Sequence, residues 1–257
     1  MYRIIICLMF ILNSGYSEPG YSYFDLPAGN EAVSGRKVQS INNEKDYILC
    51  NPNYISWTRQ QHYGFRSDEG LKIKIDSCGN VYVAGNSDTT AVTTDINFII
   101  IKYGPGGDTL WIRTYNGIDT TSLREDYVSD MTIDAAGNVY VTGRSRNQFG
   151  NFDYATVKYN TDGVLQWAKR FNAPYNDIDI PLAIGVDNSG NVFVTGQSRF
   201  SSSNYQYLTI KYNSSGDTVW TRKYDGDGNS SSGEKLIVDN AGNCYVSGNS
   251  LRFAQGN

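Results

Sequence analysis

Asp76-Ser-Cys-Gly-Asn-Val-Tyr-Val-Ala-Gly85 returns as Asp134-Ala-Ala-Gly-Asn-Val-Tyr-Val-Thr-Gly143. It returns again as Asp187-Asn-Ser-Gly-Asn-Val-Phe-Val-Thr-Gly196 and as Asp239-Asn-Ala-Gly-Asn-Cys-Tyr-Val-Ser-Gly248, at spacings of 58, 53 and 52 residues. Two more landmarks keep the same register: Trp57, Trp111, Trp167 and Trp220, and the Lys-Tyr pairs at 102–103, 158–159 and 211–212. Three landmarks in one period mark a repeat in which each copy is one supersecondary unit.

Each unit reads as four strands, here called a to d. Strand a is Leu71 to Ile75, with counterparts at Met131 to Ile133, Ala183 to Val186 and Leu236 to Val238. The Asp-x-x-Gly-Asn loop then reverses the chain. Its Asp accepts hydrogen bonds from amides just ahead, and its Gly tolerates the positive φ that closes a short hairpin. Strand b follows from Asn80 to Ala84, strand c spans Phe98 to Tyr103, and a second Gly turn leads to strand d around Trp111.

Strands b and c are apolar on both alternating faces, as in Val81-Tyr-Val83 and Phe98-Ile-Ile-Ile101. An antiparallel sheet with one wet face shows alternation instead. Both faces are therefore covered, which happens when small sheets stack face to face. Four-stranded antiparallel units of this length, stacked so, make the blades of a β-propeller. A two-sheet sandwich is the runner-up, and it gives no reason for the strict period.

The expected organisation is an all-β propeller of about three full blades plus two half-blades, with units at 46–67 (partial), 68–125, 126–178, 179–230 and 231–257 (partial). Residues 46–59 look like strands c and d alone, and 236–250 like a and b alone. The two halves could pair into a closed four-bladed ring. The poor match of the N-terminal half, with Pro52 where strand c should run, favours an open or truncated arc.

The Asp-x-x-Gly-Asn-Val-Tyr-Val-Thr-Gly pattern, followed by an aromatic strand ending Lys-Tyr and by Gly-x-x-x-Trp, resembles the SBBP (seven-bladed β-propeller) repeat family. The resemblance covers roughly residues 46–250. It implies a bacterial extracellular protein and says little about activity. Members are usually longer and often carry a C-terminal anchoring or sorting module. Neither feature is found in this chain, so the resemblance adds to the expectation of a fragment.

Arg3 followed by the apolar run Ile4 to Leu12, then small residues up to Ser17, reads as a secretory signal over 1–17, with 18–45 an irregular segment. The run is too short to span a bilayer. Cys7 lacks the neighbouring small residues of a lipid-attachment site. Net charge is −4 with basic residues scattered, so no footprint for nucleic acid or anionic membrane is present. Beyond the signal only Cys50, Cys78 and Cys244 remain, an odd number with no zinc-site spacing.

The chemistry is sparse. His62 is the lone histidine and has no recognisable catalytic partner nearby. Asp68, Asp126 and Asp179 stand eight residues before each turn aspartate, with Ser231 in the fourth unit. They either ring the mouth of a central funnel as ligand-binding groups or cap the loop between strands d and a. One carboxylate and one Asn per turn fall short of a calcium shell. Lys102, Lys158 and Lys211 fit inter-blade pairs better than ligand contacts. The Gly-x-x-x-Trp element is similar to the tryptophan-docking element of quinoprotein dehydrogenases. The adjacent cysteine pair of many such enzymes is absent, and one Trp per blade is more simply a packing anchor.

Recognition on a repeated scaffold sits where the loops vary. The b-to-c loops do so over Asp88 to Asp95, Arg146 to Asn151 and Arg199 to Asn204. Arg146 and Arg199 join the three aspartates as candidate ligand-binding residues. No catalytic, cofactor or metal residue is assigned. The expectation is a secreted, non-catalytic binding or scaffold module whose partner is a glycan or a surface protein. The alternatives are a propeller enzyme (lyase, hydrolase or quinone-dependent oxidoreductase) working at the channel mouth, or a spacer in a larger surface protein.

Overall fold

The computed structural model describes residues 4–9, 55–61, 67–88, 95–117, 124–201, 204–225 and 230–250, and all regular structure among them is strand. Two units divide the chain, Ile4–Gln61 and the rest. The first holds β1 (Ile4–Met9) paired antiparallel with β2 (Ile55–Gln61), the strand that carries Trp57. Residues 10–54, which include the expected c strand of the N-terminal half-blade, lie outside the described residues, as does His62.

The second unit is built from the repeat. Blade 1 is β3 (Asp68–Ile75), β4 (Val81–Asp88), β5 (Asp95–Tyr103) and β6 (Thr109–Tyr115). Blade 2 is β7 (Arg124–Ile133), β8 (Val139–Arg146), β9 (Phe152–Tyr159) and β10 (Leu165–Phe171). Blade 3 is β11 (Ile180–Val186), β12 (Val192–Arg199), β13 (Tyr205–Tyr212) and β14 (Thr218–Tyr224). A two-stranded sheet, β15 (Ser231–Val238) and β16 (Cys244–Ser250), supplies the fourth a–b pair. Every blade is an antiparallel a-b-c-d meander. A two-residue parallel bridge, Asp95 to Arg124 and Ile96 to Glu125, ties blade 1 to blade 2. The described strands form no closed barrel.

The repeated turn works as its composition suggests. Asp76 Oδ1 accepts from the Cys78 and Asn80 amides, its Oδ2 accepts from Asn80 Nδ2, and Gly79 closes the turn at φ 79°. Asp134, Asp187 and Asp239 repeat all three bonds. Tyr82, Tyr140 and Tyr245 add a hydroxyl donated to the same carboxylate, which blade 3 lacks because Phe193 stands there. Burial alone would push the Asp76 carboxyl up, but these donors hold it below its usual value.

The core runs between blades, which explains the two-faced apolar strands. One cluster joins Tyr82, Phe98, Ile100 and Trp111 of blade 1 to Met131, Val139, Val141 and Val157 of blade 2. A second joins Tyr140, Tyr154 and Trp167 to Ile184, Val194, Leu208 and Ile210 of blade 3. Each such side chain contributes about 1.5–3 kcal/mol by leaving water. The a strands lie side by side in series: β3 against β7, β7 against β11, β11 against β15. Asn86 Oδ1 accepts from the Val128 amide and Asp130 Oδ2 from the Ile184 amide, pinning that register from blade to blade.

Candidate functional site

Antiparallel meanders place the a–b and c–d turns at one end of each blade and the b–c and d–a loops at the other. The turn end is used for blade-to-blade docking. Lys102 Nζ and Trp111 Nε1 both donate to the Thr161 carbonyl in the c–d turn of blade 2, and Lys158 and Trp167 do the same to Ser214 in blade 3. Lys102, Trp111, Lys158 and Trp167 are thereby occupied with packing.

The loop end holds the aspartates. Asp68, Asp126 and Asp179 are buried, at 2%, 2% and 0% exposed. Asp68 accepts from Ser87 Oγ at 2.7 Å. Asp126 accepts from the Gly117 amide at 2.7 Å, and Asp179 from the Ala173 amide at 2.6 Å and the Arg199 amide at 3.1 Å. Gly117 and Ala173 both lie in d–a loops, so these two carboxylates close the loop that leads into their own strand. In the fourth unit Ser231 Oγ donates instead to the Tyr224 carbonyl. Burial raises the Asp126 carboxyl, against the opposing donors from Gly117 and Ser145, and raises that of Asp179 to about 6.

Arg146 and Arg199 lie at the same end, at the last residues of β8 and β12. Arg146 pairs with Glu125 at 2.5 Å, and Arg199 with Asp177 at 2.6 Å. Each guanidinium also lies over aromatic rings, Arg146 over Phe152 and Arg199 over Tyr175 and Tyr205. Their charges are met within the protein.

Beside Arg146 opens a cleft of about 260 Å³, lined by Arg146, Asn147, Gln148, Phe149, Asp153, Arg170 and Asn172. Its first wall is the b–c turn of blade 2, Asn147-Gln-Phe-Gly-Asn151, which copies the spacing of the a–b turn. Asn147 Oδ1 accepts from the Phe149 and Asn151 amides, and Gly150 closes the turn at φ 87°. The opposite wall is the end of β10. Arg170 there donates to Ser145, to the Arg146 carbonyl and to Asp153, an ion pair of 3.1 Å. Asp153 also accepts from Asn147 Nδ2 at 2.7 Å. Burial raises its carboxyl, and the Arg170 bond opposes that shift.

The d–a loop between blades 2 and 3 braces this cleft. Asn151 Nδ2 donates to the Asn176 carbonyl and Asn172 Nδ2 to Asn176 Oδ1. Asn176 has φ 52°, the single described non-glycine residue in the left-handed region. Phe149 projects from the turn at 67% exposed, and Tyr175 is 45% exposed on the neighbouring loop. Variation of the b–c loops pointed to Arg146 to Asn151, but Arg170, Asp153 and Asn172 escaped the sequence reading. One signal was available: Arg170 and Asp153 stand where blade 1 has Thr114 and Asn97, and blade 3 has Lys223 and Gln206.

Among the described residues no group of three or more His, Cys, Asp or Glu side chains is arranged to hold a metal. Cys78 and Cys244 are free thiols, and burial pushes Cys244 up to about 11. No described helix is long and apolar enough to cross a membrane.

The β-propeller repeat family (SBBP) matches residues 111–150 and 166–200, the segments that run from strand d of one blade through strands a and b of the next. No curated protein matches the chain.

Proposed function

From a chain that carries SBBP β-propeller repeats, we propose an exported, non-catalytic binding module that presents its ligand-binding surface at the b–c and d–a loop end of the blades. One observation carries the reading. The repeated Lys102, Trp111, Lys158 and Trp167 are spent on holding blades together, whereas the cleft beside the Asn147–Phe149 turn is lined by Arg170 and Asp153, which differ from their counterparts in blades 1 and 3. A scaffold of equivalent units with one divergent, braced cleft fits recognition at that cleft.

The carboxylates support a binding role over a catalytic one. A general acid or base must reach the proton it moves. Asp126 and Asp179 are buried against loop amides, and Asp153 holds Asn147 and Arg170. Export rests on the N-terminal pattern of Arg3, the apolar run Ile4 to Leu12 and the small residues before position 18.

The test is retention of the full chain on arrays of oligosaccharides and of immobilised matrix proteins such as collagen and fibronectin. Two double variants accompany the wild type. Tyr175→Ala/Asn172→Ala alters the loop end, and Leu165→Ser/Val219→Ser alters the turn end. Loss of binding in the first and not in the second is expected. Retention on no surface, or loss in the turn-end variant alone, would overturn the proposal.

A further inference from the structure

We infer that the cleft between the Asn147–Asn151 turn and the end of β10 is a subsite for one ring of a neutral saccharide, with Phe149 as its stacking platform. The inference rests on the binding-module reading above and names the ligand class for that site.

The lining has the chemistry such a ring needs. A pyranose offers an apolar face of C–H groups and a rim of hydroxyls. Phe149 supplies an exposed aromatic face, 67% open, beside a side chain rich in amide character on each wall, Gln148 and Asn172. An exposed phenylalanine at the tip of a hairpin costs the isolated protein hydrophobic exposure, and here it sits at the mouth of a cleft. The volume of about 260 Å³ lies just under the range of roughly 300–1,000 Å³ common for small-molecule pockets. It suits a single ring at the end or side of a longer chain.

Charge decides between neutral and acidic sugars. The two arginines that line the cleft each meet a carboxylate, Arg146 with Glu125 and Arg170 with Asp153. A uronate or sulfate would have to break one of these pairs to gain a counter-charge. A neutral ring accepts or donates hydrogen bonds at the rim and leaves them whole.

The site is also held in advance of any ligand. The turn carrying Phe149 is closed by both Asn147 Oδ1 bonds and by the Gly150 amide on the Asn147 carbonyl. The Asn151–Asn176–Asn172 amide chain links it to the d–a loop, where Asn176 keeps its left-handed backbone. Left-handed non-glycine residues collect at ligand clamps because surrounding contacts must enforce them. Such rigidity lowers the ordering cost of binding.

The experiment is a printed array read with the full chain. It carries neutral hexose and N-acetylhexosamine oligosaccharides, uronate- and sulfate-bearing oligosaccharides, collagen and fibronectin, and hits are followed by titration. Neutral oligosaccharides are expected to bind. Phe149→Ala should weaken them about tenfold or more, while Phe149→Tyr and Leu165→Ser retain them. Phe149 is exposed, so an unchanged thermal transition in Phe149→Ala separates lost recognition from lost folding. Binding of acidic oligosaccharides alone, of matrix protein alone, or of neutral sugars undiminished by Phe149→Ala would each overturn this inference while leaving a binding module. Binding of nothing would overturn both.

Discussion

Trp111 reaches across to Thr161, fifty residues along the chain, and donates its indole N–H to that carbonyl at 3.0 Å. Lys102 Nζ bonds the same carbonyl, and Gly163 lies directly under the indole. The d strands of blades 1 and 2 are thereby clasps for the c–d turns of blades 2 and 3.

Removing the clasp should therefore separate packing from hydrogen bonding. Trp111→Phe keeps most of the buried ring and leaves Lys102 on the carbonyl, so a loss of about 1 kcal/mol is expected. Trp111→Ala empties the site and should cost about 3–5 kcal/mol. Trp220 is only half-buried, and its truncation should cost visibly less. Gly163→Ala tests the same contact from the other side. Its φ is 75°, and a new Cβ would lie 2.8 Å from Trp111 Cδ2. Gly150→Ala, at φ 87° but facing only Arg146 at 3.7 Å, should be the milder change. Urea midpoints of the five variants give the order; equal losses for the two glycines would contradict the clasp.

Blade 3 is the natural control for the tyrosine that caps each turn aspartate. Phe193→Tyr would place a hydroxyl where Tyr82 and Tyr140 bond Asp76 and Asp134 at 3.0 and 2.8 Å. Asp187 already holds Asn191 and both turn amides, so the added bond completes an existing set. A gain of about 0.5–1.5 kcal/mol is expected from thermal or urea unfolding. A loss would mean that the space beside Asp187 is closed to the extra oxygen.

Much of this architecture was readable because it repeats. The Asp-x-x-Gly-Asn turn, the doubly apolar b and c strands and the tryptophan each state a local requirement that four copies restate, and β3 to β16 fall where those landmarks put them. The cleft was legible only as a variable loop. Its geometry depends on Arg170 folding back over Ser145 and on Asn176 bracing Asn151 from the next loop. Both are contacts between segments about 25 residues apart, which no local pattern encodes. The recurrent acid before strand a reads as a loop cap or inter-blade partner ahead of a rim group, but the burial of Asp126 and Asp179 depends on loops folding over them, which no local pattern encodes.

Arg170 and Asp153 form a buried pair found in blade 2 and replaced by Thr114 and Asn97 in blade 1. Arg170→Thr alone strands the Asp153 carboxylate and removes the donors to Ser145 and to the Arg146 carbonyl. A loss of about 3–5 kcal/mol is expected. Asp153→Asn/Arg170→Thr gives blade 2 the residues of blade 1 and should recover a substantial part, since a neutral pair carries no stranded charge. A double-mutant cycle measures the coupling directly. Additive single losses would show that the two side chains act independently.

Asp179 should give the protein a pH dependence of definite sign. Burial lifts its carboxyl from 3.8 to about 6 in the folded chain, with the Ala173 and Arg199 amides and Ser198 opposing the shift. Between these values the folded state binds more protons than the unfolded one, so stability falls as pH rises. The contribution is full below pH 3.8 and lost above about 6, at most about 3 kcal/mol for a shift of this size. Asp126 and Asp153 shift in the same direction, and Asp76 in the opposite one, so the wild-type curve alone mixes several groups. Asp179→Asn removes one titration and leaves the others. Its amide also offers one oxygen fewer to the loop, a penalty of about 1–3 kcal/mol that is independent of pH in this window. The wild type's stability minus that of the variant, read from urea midpoints between about pH 4 and 7.5, should therefore fall as pH rises, reaching or passing below zero, and level off above about 6. A difference that stays constant across that range would place the Asp179 carboxyl at its ordinary value and remove burial as the force acting on it.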